Sequence, residues 1–289
     1  MNKMTRNEIV ALYERGKKEG FAIPAFNYSD IWDMMAIVKA AEEAQSPVLL
    51  MCDPPTYEEF GGRLCAAMAD VVIERANVPV IHHLDHSESP ENCLEAMEYG
   101  FNSVMMDASN LPIDGNIAAV HKVVEKAREK GVFVEAEIGR IRGDSSYETS
   151  YTGDDYLFLL EEAKRLVEES GCDSLAIGIG NAHGFYQGEP EINFGKLKEA
   201  NDNLDIPLVL HGGTGIPRDV VRKCIAGGIR KVNVGTAVYF AYMNGAREKL
   251  MADGENQFTY DVMEVAMDSV KKEVAYWIET CNAVGKAAK

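Results

Sequence analysis

The chain has 289 residues, 46% of them hydrophobic, which suits one closed α/β barrel of roughly 250 residues. Its net charge of −17, from 46 acidic and 29 basic residues, argues against nucleic acid or an anionic membrane as the main partner. The six cysteines are scattered with no C-x-x-C pair, and neither an apolar N-terminal h-region nor a long apolar run occurs, so a soluble cytoplasmic protein with reduced thiols is expected.

No Pro/Gly/Ser-rich linker, charge block or low-complexity segment divides residues 1–289, which read as one domain. In chain order, short apolar runs stand at "FAIPAFN" (21–27), "PVLLMCD" (47–53), "PVIHHLD" (79–85), "SVMMDAS" (103–109), "VFVEAEIG" (132–139), "SLAIGIG" (174–180), "PLVLHGG" (207–213) and "KVNVGT" (231–236). Between them lie helical patterns such as "DMMAIVKAAEEA" (33–44), "IAAVHKVVEKAREKG" (117–131) and "DVVRKCIAGG" (219–228). Short buried strands alternating with helices predict parallel βα units, and eight of them predict a closed (β/α)8 TIM barrel. The tail "YDVMEVAMDSVKKEVAYWIETC" (260–281) adds one or two helices, so residues 258–289 read as a C-terminal helical extension.

The runs end on polar groups. Asn27, Asp53, Asp85 with His86, Asp107, Glu137, His183, His211 and Asn233 all fall at or just beyond C-terminal strand ends. In this architecture that rim is where chemistry is done. Three of these residues are histidines from three different strands: His86, His183 and His211. Three imidazoles with an open fourth position make a common catalytic zinc site; each histidine alone is more simply read as a buried, hydrogen-bonded side chain. Their placement on one rim favours the metal. Alternation in "VIHHLDHSES" (80–89) sets His83 and Asp85 on one face, His82 and Leu84 on the other, and His86 just past the strand end. His82 and His83 are expected to pack or support; Asp85 is open as ligand, partner of a ligand, or base. Asp107 and Glu137 would orient histidines or bind a second cation.

"HGGTG" (211–215) after the seventh strand and "NVGTA" (233–237) after the eighth both lead into helices. Glycines let backbone N–H groups approach an anion there, Thr214 adds a hydroxyl, and these two loops are the frequent phosphate cradle of the fold. The expected ligand is a small phosphorylated molecule beside a Lewis-acid metal.

Taken together, "HLDH", "VMMDAS", "VEAEIG", "GNAHGFY", "VLHGGTGIP" and "KVNVGT" resemble, in order and approximate spacing, the motifs of class II, zinc-dependent fructose- and tagatose-bisphosphate aldolases. The similarity runs from "FAIPAFN" to the "AVGKA" near the C-terminus. It implies a cytoplasmic, homodimeric or homotetrameric lyase that reversibly cleaves a ketose phosphate to dihydroxyacetone phosphate and an aldehyde through a zinc-stabilised enediolate. His86, His183 and His211 would hold one catalytic Zn2+, with Asp107 and Glu137 in the outer metal region, where a second divalent or monovalent cation has a place. Asp85 would exchange the C4-hydroxyl proton. Asn27, Gly184, Gly212, Thr214, Asn233 and Thr236 would bind the phosphate and the dihydroxyacetone end. "GRIRGDSSYETSYTGDD" (139–155) would be a closing lid. A metal-free aldolase would need a Schiff-base lysine, and Lys231 is read as opening the eighth strand at the wrong end of the barrel.

Departures from the family pattern bear on substrate. The lid glutamate position reads Ser145, with Asp144 or Glu148 as substitutes; Asp53 replaces a serine or threonine after the second strand; an acidic group is lost at Ala237; and the stretch "GENQFTYDVM" holds no arginine where many relatives have one. Asp53, read as an unpaired carboxylate near the distal pocket, would disfavour a second phosphate, pointing to a ketose 1-phosphate. Arg142, Arg218, Arg222 or an arginine of another subunit could restore the bisphosphate reading. The alternatives are a non-catalytic sugar-phosphate-binding paralogue, against which the retained histidines and Asp85 speak, and a zinc hydrolase, which would place H-x-H where "PAFNYS" stands.

Overall fold

Eight strands pair in chain order, all parallel, and the last closes onto the first. They are β1 (Ile23–Asn27), β2 (Val48–Cys52), β3 (Val80–Ser87), β4 (Ser103–Met106), β5 (Phe133–Ile138), β6 (Ser174–Ile177), β7 (Leu208–Leu210) and β8 (Ile229–Val234). The computed structural model describes residues 3–141, 156–186, 188–253 and 257–287. The helices are α1 (Arg6–Glu19), α2 (Ile31–Ala44), α3 (Pro54–Phe60), α4 (Gly62–Arg75), α5 (Pro90–Tyr99), α6 (Ile113–Lys130), α7 (Leu160–Ser170), α8 (Phe194–Asn203), α9 (Arg218–Ala226), α10 (Thr236–Asp253) and α11 (Thr259–Thr280). This is the expected (β/α)8 barrel with an added C-terminal helix, α11, packed on α2 and α10. No described helix is long and apolar enough to cross a membrane, and all six cysteines are buried and free of disulfides.

Strands covered on both faces read as continuous apolar runs, so alternation is legible only in what each residue packs against. Phe26, Leu50, Val104 and Val134 face the helices in one large cluster. Ile23, Ala25, Leu49, Met51, Ile81 and Phe133 form a second cluster inside the barrel, capped by Ile9, Leu12 and Tyr13 of α1. The eight-run rhythm does not include α1. A reciprocal Thr5–Glu8 capping box starts it, and the Tyr13 ring stacks on Phe133 at 5.1 Å, sealing the N-terminal mouth. Two boundaries differ from expectation. β8 begins at Ile229, so Lys231 is its third residue and lies buried within the barrel. β3 does not stop at Asp85 but continues to Ser87 through a bulge.

Candidate active site

The bulge explains how one strand delivers two neighbouring side chains to the same place. In register with β4, Leu84 pairs with Val104 but Ser87 with Met106, which leaves one extra residue in β3. His86 takes up the turn with φ of 46°, a left-handed conformation rare for a non-glycine residue. Strict alternation would send Asp85 and His86 to opposite faces; the bulge brings His86 over the mouth instead. There its Nδ1 lies 2.8 Å from Asp107 Oδ2 and its Nε2 lies 2.8 Å from His211 Nδ1. His183, from the loop after β6, meets the His86 ring edge-on at 4.8 Å between centroids.

One nitrogen from each of His86, His183 and His211 lies within 4.8 Å of the other two, and His86, Asp107 and Glu137 form a second group within the same limit. Glu137 Oε2 is buried without a hydrogen-bond partner among the described residues. Convergent imidazoles beside such a carboxylate oxygen fit a divalent cation. The electrostatics agree. Burial opposes charge on His86, but Asp85, Asp107 and Glu137 outweigh it and lift its pKa to about 10. Against its own burial, the hydrogen bond and charge of His86 hold the Asp107 carboxyl well below the usual range. Burial, reinforced by Asp107, pushes Glu137 well up. Burial and the neighbouring positive groups hold His211 well below the ordinary histidine value, so it is a neutral imidazole.

Asp85 is 4% exposed and sits between two amides: Asn27 Nδ2 donates to Oδ2 at 3.1 Å and Asn233 Nδ2 to Oδ1 at 3.3 Å. Its burial favours the neutral acid, yet the charges of His86 and Lys231 outweigh that and lower its pKa, leaving a carboxylate poised to accept a proton. Asn27, Asp85 and Asn233 therefore form one group, from β1, β3 and β8.

The residues expected at the phosphate cradle are brought to the adjoining loops. Gly212 has φ of +66°, and a Cβ there would lie 2.0 Å from the Ala182 carbonyl oxygen, so only glycine lets the loops after β6 and β7 approach this closely. Gly184, at φ +81°, has open space where a side chain would stand. The Ala237 N–H donates to Thr214 Oγ1 at 3.2 Å, tying the loop after β7 to the first turn of α10, which opens at Thr236. Asn181 and Tyr186 brace the same loops: Asn181 Nδ2 donates to the His211 carbonyl and the Tyr186 hydroxyl to that of Gly212.

Three expectations are corrected. Asp53 is not unpaired: its Oδ1 caps α3 by accepting the Thr56 N–H at 3.1 Å, and its Oδ2 accepts the Tyr239 hydroxyl at 2.7 Å. Arg218 and Arg222 are engaged by α11, donating respectively to the side chain and the backbone carbonyl of Glu279. Lys231 opens no strand; inside the barrel its Nζ lies 2.8 Å from Glu135 Oε2. His82 and His83 are buried and stand outside the group of three converging histidines. His82 faces outward, stacked on Phe101 at 3.8 Å with burial holding its pKa at about 3, and His83 faces the interior against Ser103. Arg142, Asp144, Ser145 and Glu148 lie outside the described residues.

Glu135 went unnoticed in the sequence, Lys231 was read only as a strand-opening residue, and Tyr239 went unnoticed. For the first two a signal existed: alternation in β5 puts Glu135 on the face of Glu137, and alternation in β8 puts Lys231 on the face of Asn233. Tyr239 sits on a helix that reads as evenly mixed, and nothing local marks it.

Comparison with known proteins agrees with this geometry. Residues 7–286 match the family described as fructose-bisphosphate aldolase class-II. The chain is 36% identical over 281 residues to the 6-phospho-5-dehydro-2-deoxy-D-gluconate aldolase of Bacillus subtilis strain 168, covering 96% of each. It is 37% identical over 262 residues to a probable fructose-bisphosphate aldolase of the same organism, covering 89% of this chain and 91% of that one. The crystal structure of the YdjI aldolase from Escherichia coli K12 superposes with a TM-score of 0.86 at 31% identity, over 97% of this chain and 98% of that one. A barrel whose rim gathers three imidazoles, three carboxylates and a glycine-bound loop pair, and whose whole length aligns with these enzymes, belongs to the class II aldolases, a lyase family that uses a divalent metal ion.

Proposed function

We propose that this aldolase cleaves a ketose phosphate whose phosphate end lies against the loops after β6, β7 and β8, and whose far end is not a phosphate. The convergence of His86, His183 and His211 beside the ionised Asp85 carries the reading. The three histidines would hold Zn2+, which when bound supplies Lewis acidity to the ketone and the adjacent hydroxyl oxygen of the substrate. Asp107 would orient His86, and Asp107 with Glu137 would offer the place for a second cation.

The residues then do the following. Asn27 and Asn233 hold the Asp85 carboxylate by one oxygen each, leaving its remaining lone pairs for the substrate. Asp85 takes the proton of the C4 hydroxyl as the C3–C4 bond breaks. The aldehyde forms at C4, and the electron pair left on C3 spreads toward the C2 oxygen. Gly184, Gly212, Thr214 and Thr236 line the turn against which the phosphate would lie, and the first turn of α10 adds the favourable end of its dipole. Proton return to C3 belongs to a group for which Asp144, Ser145 and Glu148 are the candidates.

At the far end, Asp53 follows Cys52, which pairs with Leu84, and so stands beside Asp85 in the strand register. A carboxylate there accepts hydroxyl donors and repels a phosphate dianion, and Arg218 and Arg222 are engaged elsewhere. The compound in the name of the B. subtilis relative, 6-phospho-5-dehydro-2-deoxy-D-gluconate, likewise carries its phosphate next to the ketone carbon and a different group at the far end. Single-domain organisation over residues 1–289, with 258–289 as the extension, and a homodimer or homotetramer in the cytoplasm complete the reading. The outward Phe240, Met243 and Met251 of α10, 41%, 66% and 80% exposed, support the assembly.

Release of dihydroxyacetone phosphate is to be measured from fructose and tagatose 1,6-bisphosphates and a panel of ketose 1-phosphates, with and without a chelator. Chelator-sensitive cleavage favouring the 1-phosphates is expected, and Asp53→Ser should narrow that preference. A bisphosphate preference in the wild type would overturn the distal assignment. No cleavage of any substrate by zinc-loaded protein would favour the sugar-phosphate-binding alternative.

A further inference from the structure

Beneath the metal-binding rim lies a layer of charge that touches no substrate in the reaction above. Barrel interiors of this kind are normally filled by Val, Ile and Leu. Here Glu135 of β5 and Lys231 of β8 meet in the middle of the barrel, both fully buried. The three donors of the Lys231 ammonium are accounted for by Glu135 Oε1 at 3.0 Å, Glu135 Oε2 at 2.8 Å and His83 Nε2 at 3.4 Å. Such a pair seldom stabilises a fold more than apolar side chains of similar volume, because both ions are stripped of water. Stability alone therefore does not account for it.

What the pair touches is informative. Glu135 Oε1 lies 2.8 Å from His211 Nε2, on the side of that ring facing away from the mouth. A carboxylate engaged by an ammonium only accepts, so the Nε2 proton must be on the imidazole. A metal-ligating imidazole is neutral and has one such proton. Its Nδ1 is then a bare lone pair, and this is the nitrogen that lies 2.8 Å from His86 Nε2. Asn233 Nδ2 is also 3.2 Å from His211 Nε2, but two donors cannot bond each other. The shorter contact, to the carboxylate, decides the proton, and the Asn233 amide donates to Asp85 instead.

We propose that the buried Lys231–Glu135 pair is a positioning device that locks His211 in its Nε2–H tautomer and so commits His211 Nδ1 to the metal. Glu135 sets the tautomer and the ring plane. Lys231 neutralises Glu135, so that the carboxylate can sit under the site without competing for the cation above. The inference rests on the reading of His86, His183 and His211 as metal ligands, and its test is chosen to fail separately from that reading.

The tautomer is to be read first, by long-range 1H–15N correlation on histidine-labelled, metal-free wild type. An Nε2–H His211 is expected, and an Nδ1–H His211 overturns the proposal with no variant needed. Zn(II) affinity is then measured by competition with a chromophoric chelator for the wild type, Glu135→Gln, and the double variant Glu135→Leu/Lys231→Met. The double variant removes both charges together and should keep a metal-free melting temperature near that of the wild type. Its zinc affinity should fall about 10- to 100-fold, the usual effect of losing a ligand's supporting partner. Glu135→Gln keeps shape and an acceptor, and should fall less than the double variant. Folded double variant with wild-type zinc affinity would make the pair mere core filling and sink the idea. Because the tautomer is read without metal, wild type that binds no zinc overturns the metal-site reading, whereas an Nδ1–H His211 overturns the positioning role.

Discussion

At the scale of single residues, chemistry here is assigned by contacts more than by residue type. Four acidic side chains near the mouth have four different situations. Asp85 is held ionised between two amides, Asp107 is tied to His86, Glu137 is pushed toward protonation by burial and Asp107, and Asp53 caps a helix while accepting a tyrosine hydroxyl. Only Asp85 combines charge, burial and lone pairs free for a substrate proton. Asp85→Asn keeps the shape but cannot take a proton, so kcat should fall by about 10²- to 10⁴-fold while zinc content stays at the wild-type level. Turnover near wild type in the zinc-loaded variant would remove Asp85 from the proton-transfer role. The sequence placed Asp85 and His86 correctly at the mouth because the aspartate ends an apolar run. It misjudged Asp53, because the Tyr239 partner comes from α10, 186 residues further along.

At the scale of elements, the β3 bulge and the starts of helices do the positioning. The N-terminus of α2 shows how finely such an end is tuned. Asp30 and Asp33 form a reciprocal capping box, with Asp33 accepting the Ser29 N–H at 2.6 Å and the Asp30 N–H at 3.1 Å. Burial nevertheless pushes the Asp33 carboxyl up to about 7. The folded protein then holds this proton more tightly than the unfolded chain, whose aspartates titrate near about 4. The associated stability is fully present below that range and is lost as the pH rises through about 7. Asp33→Asn keeps an acceptor for both N–H groups and removes the titration. Urea midpoints of wild type and variant should therefore diverge in the variant's favour between pH 5 and pH 8. Parallel pH profiles would show that the two N–H donors, not burial, govern Asp33.

At the scale of the whole molecule, the barrel is stoppered at one end and reactive at the other. Asp173, buried at the stoppered end, accepts from Arg6 Nε at 3.0 Å, Arg128 Nη1 at 2.8 Å and the Val134 N–H at 2.9 Å, pinning α1 and α6 to the sheet. The interior grades upward from apolar side chains through the Lys231–Glu135 layer to the histidine rim. A cation held by His86, His183 and His211 would tie together segments far apart in the chain and would stabilise only the folded form. At free metal 100-fold above its Kd that linkage contributes about 2.7 kcal/mol. Chelation should accordingly lower Tm by roughly 5–10 °C, reversed by Zn(II). An unchanged Tm in protein shown by elemental analysis to have lost its metal would contradict a site that bridges these segments.

The sequence by itself determined the barrel, because eight strands buried on both faces must be written as apolar runs separated by amphipathic helices. It also determined which polar residues reach the rim, because a run of this kind ends where polarity begins. Only the tertiary structure decided the rest. The bulge that turns His86 over the mouth depends on the register of β3 against β4. The tyrosine on Asp53 and the charge pair under His211 depend on side chains brought together by closure of the barrel, 186 and 96 residues apart in the chain. Periodicity reports which face a residue takes, but not which partner waits there. In this protein the partner decides whether a carboxylate caps a helix, takes a proton or holds a histidine.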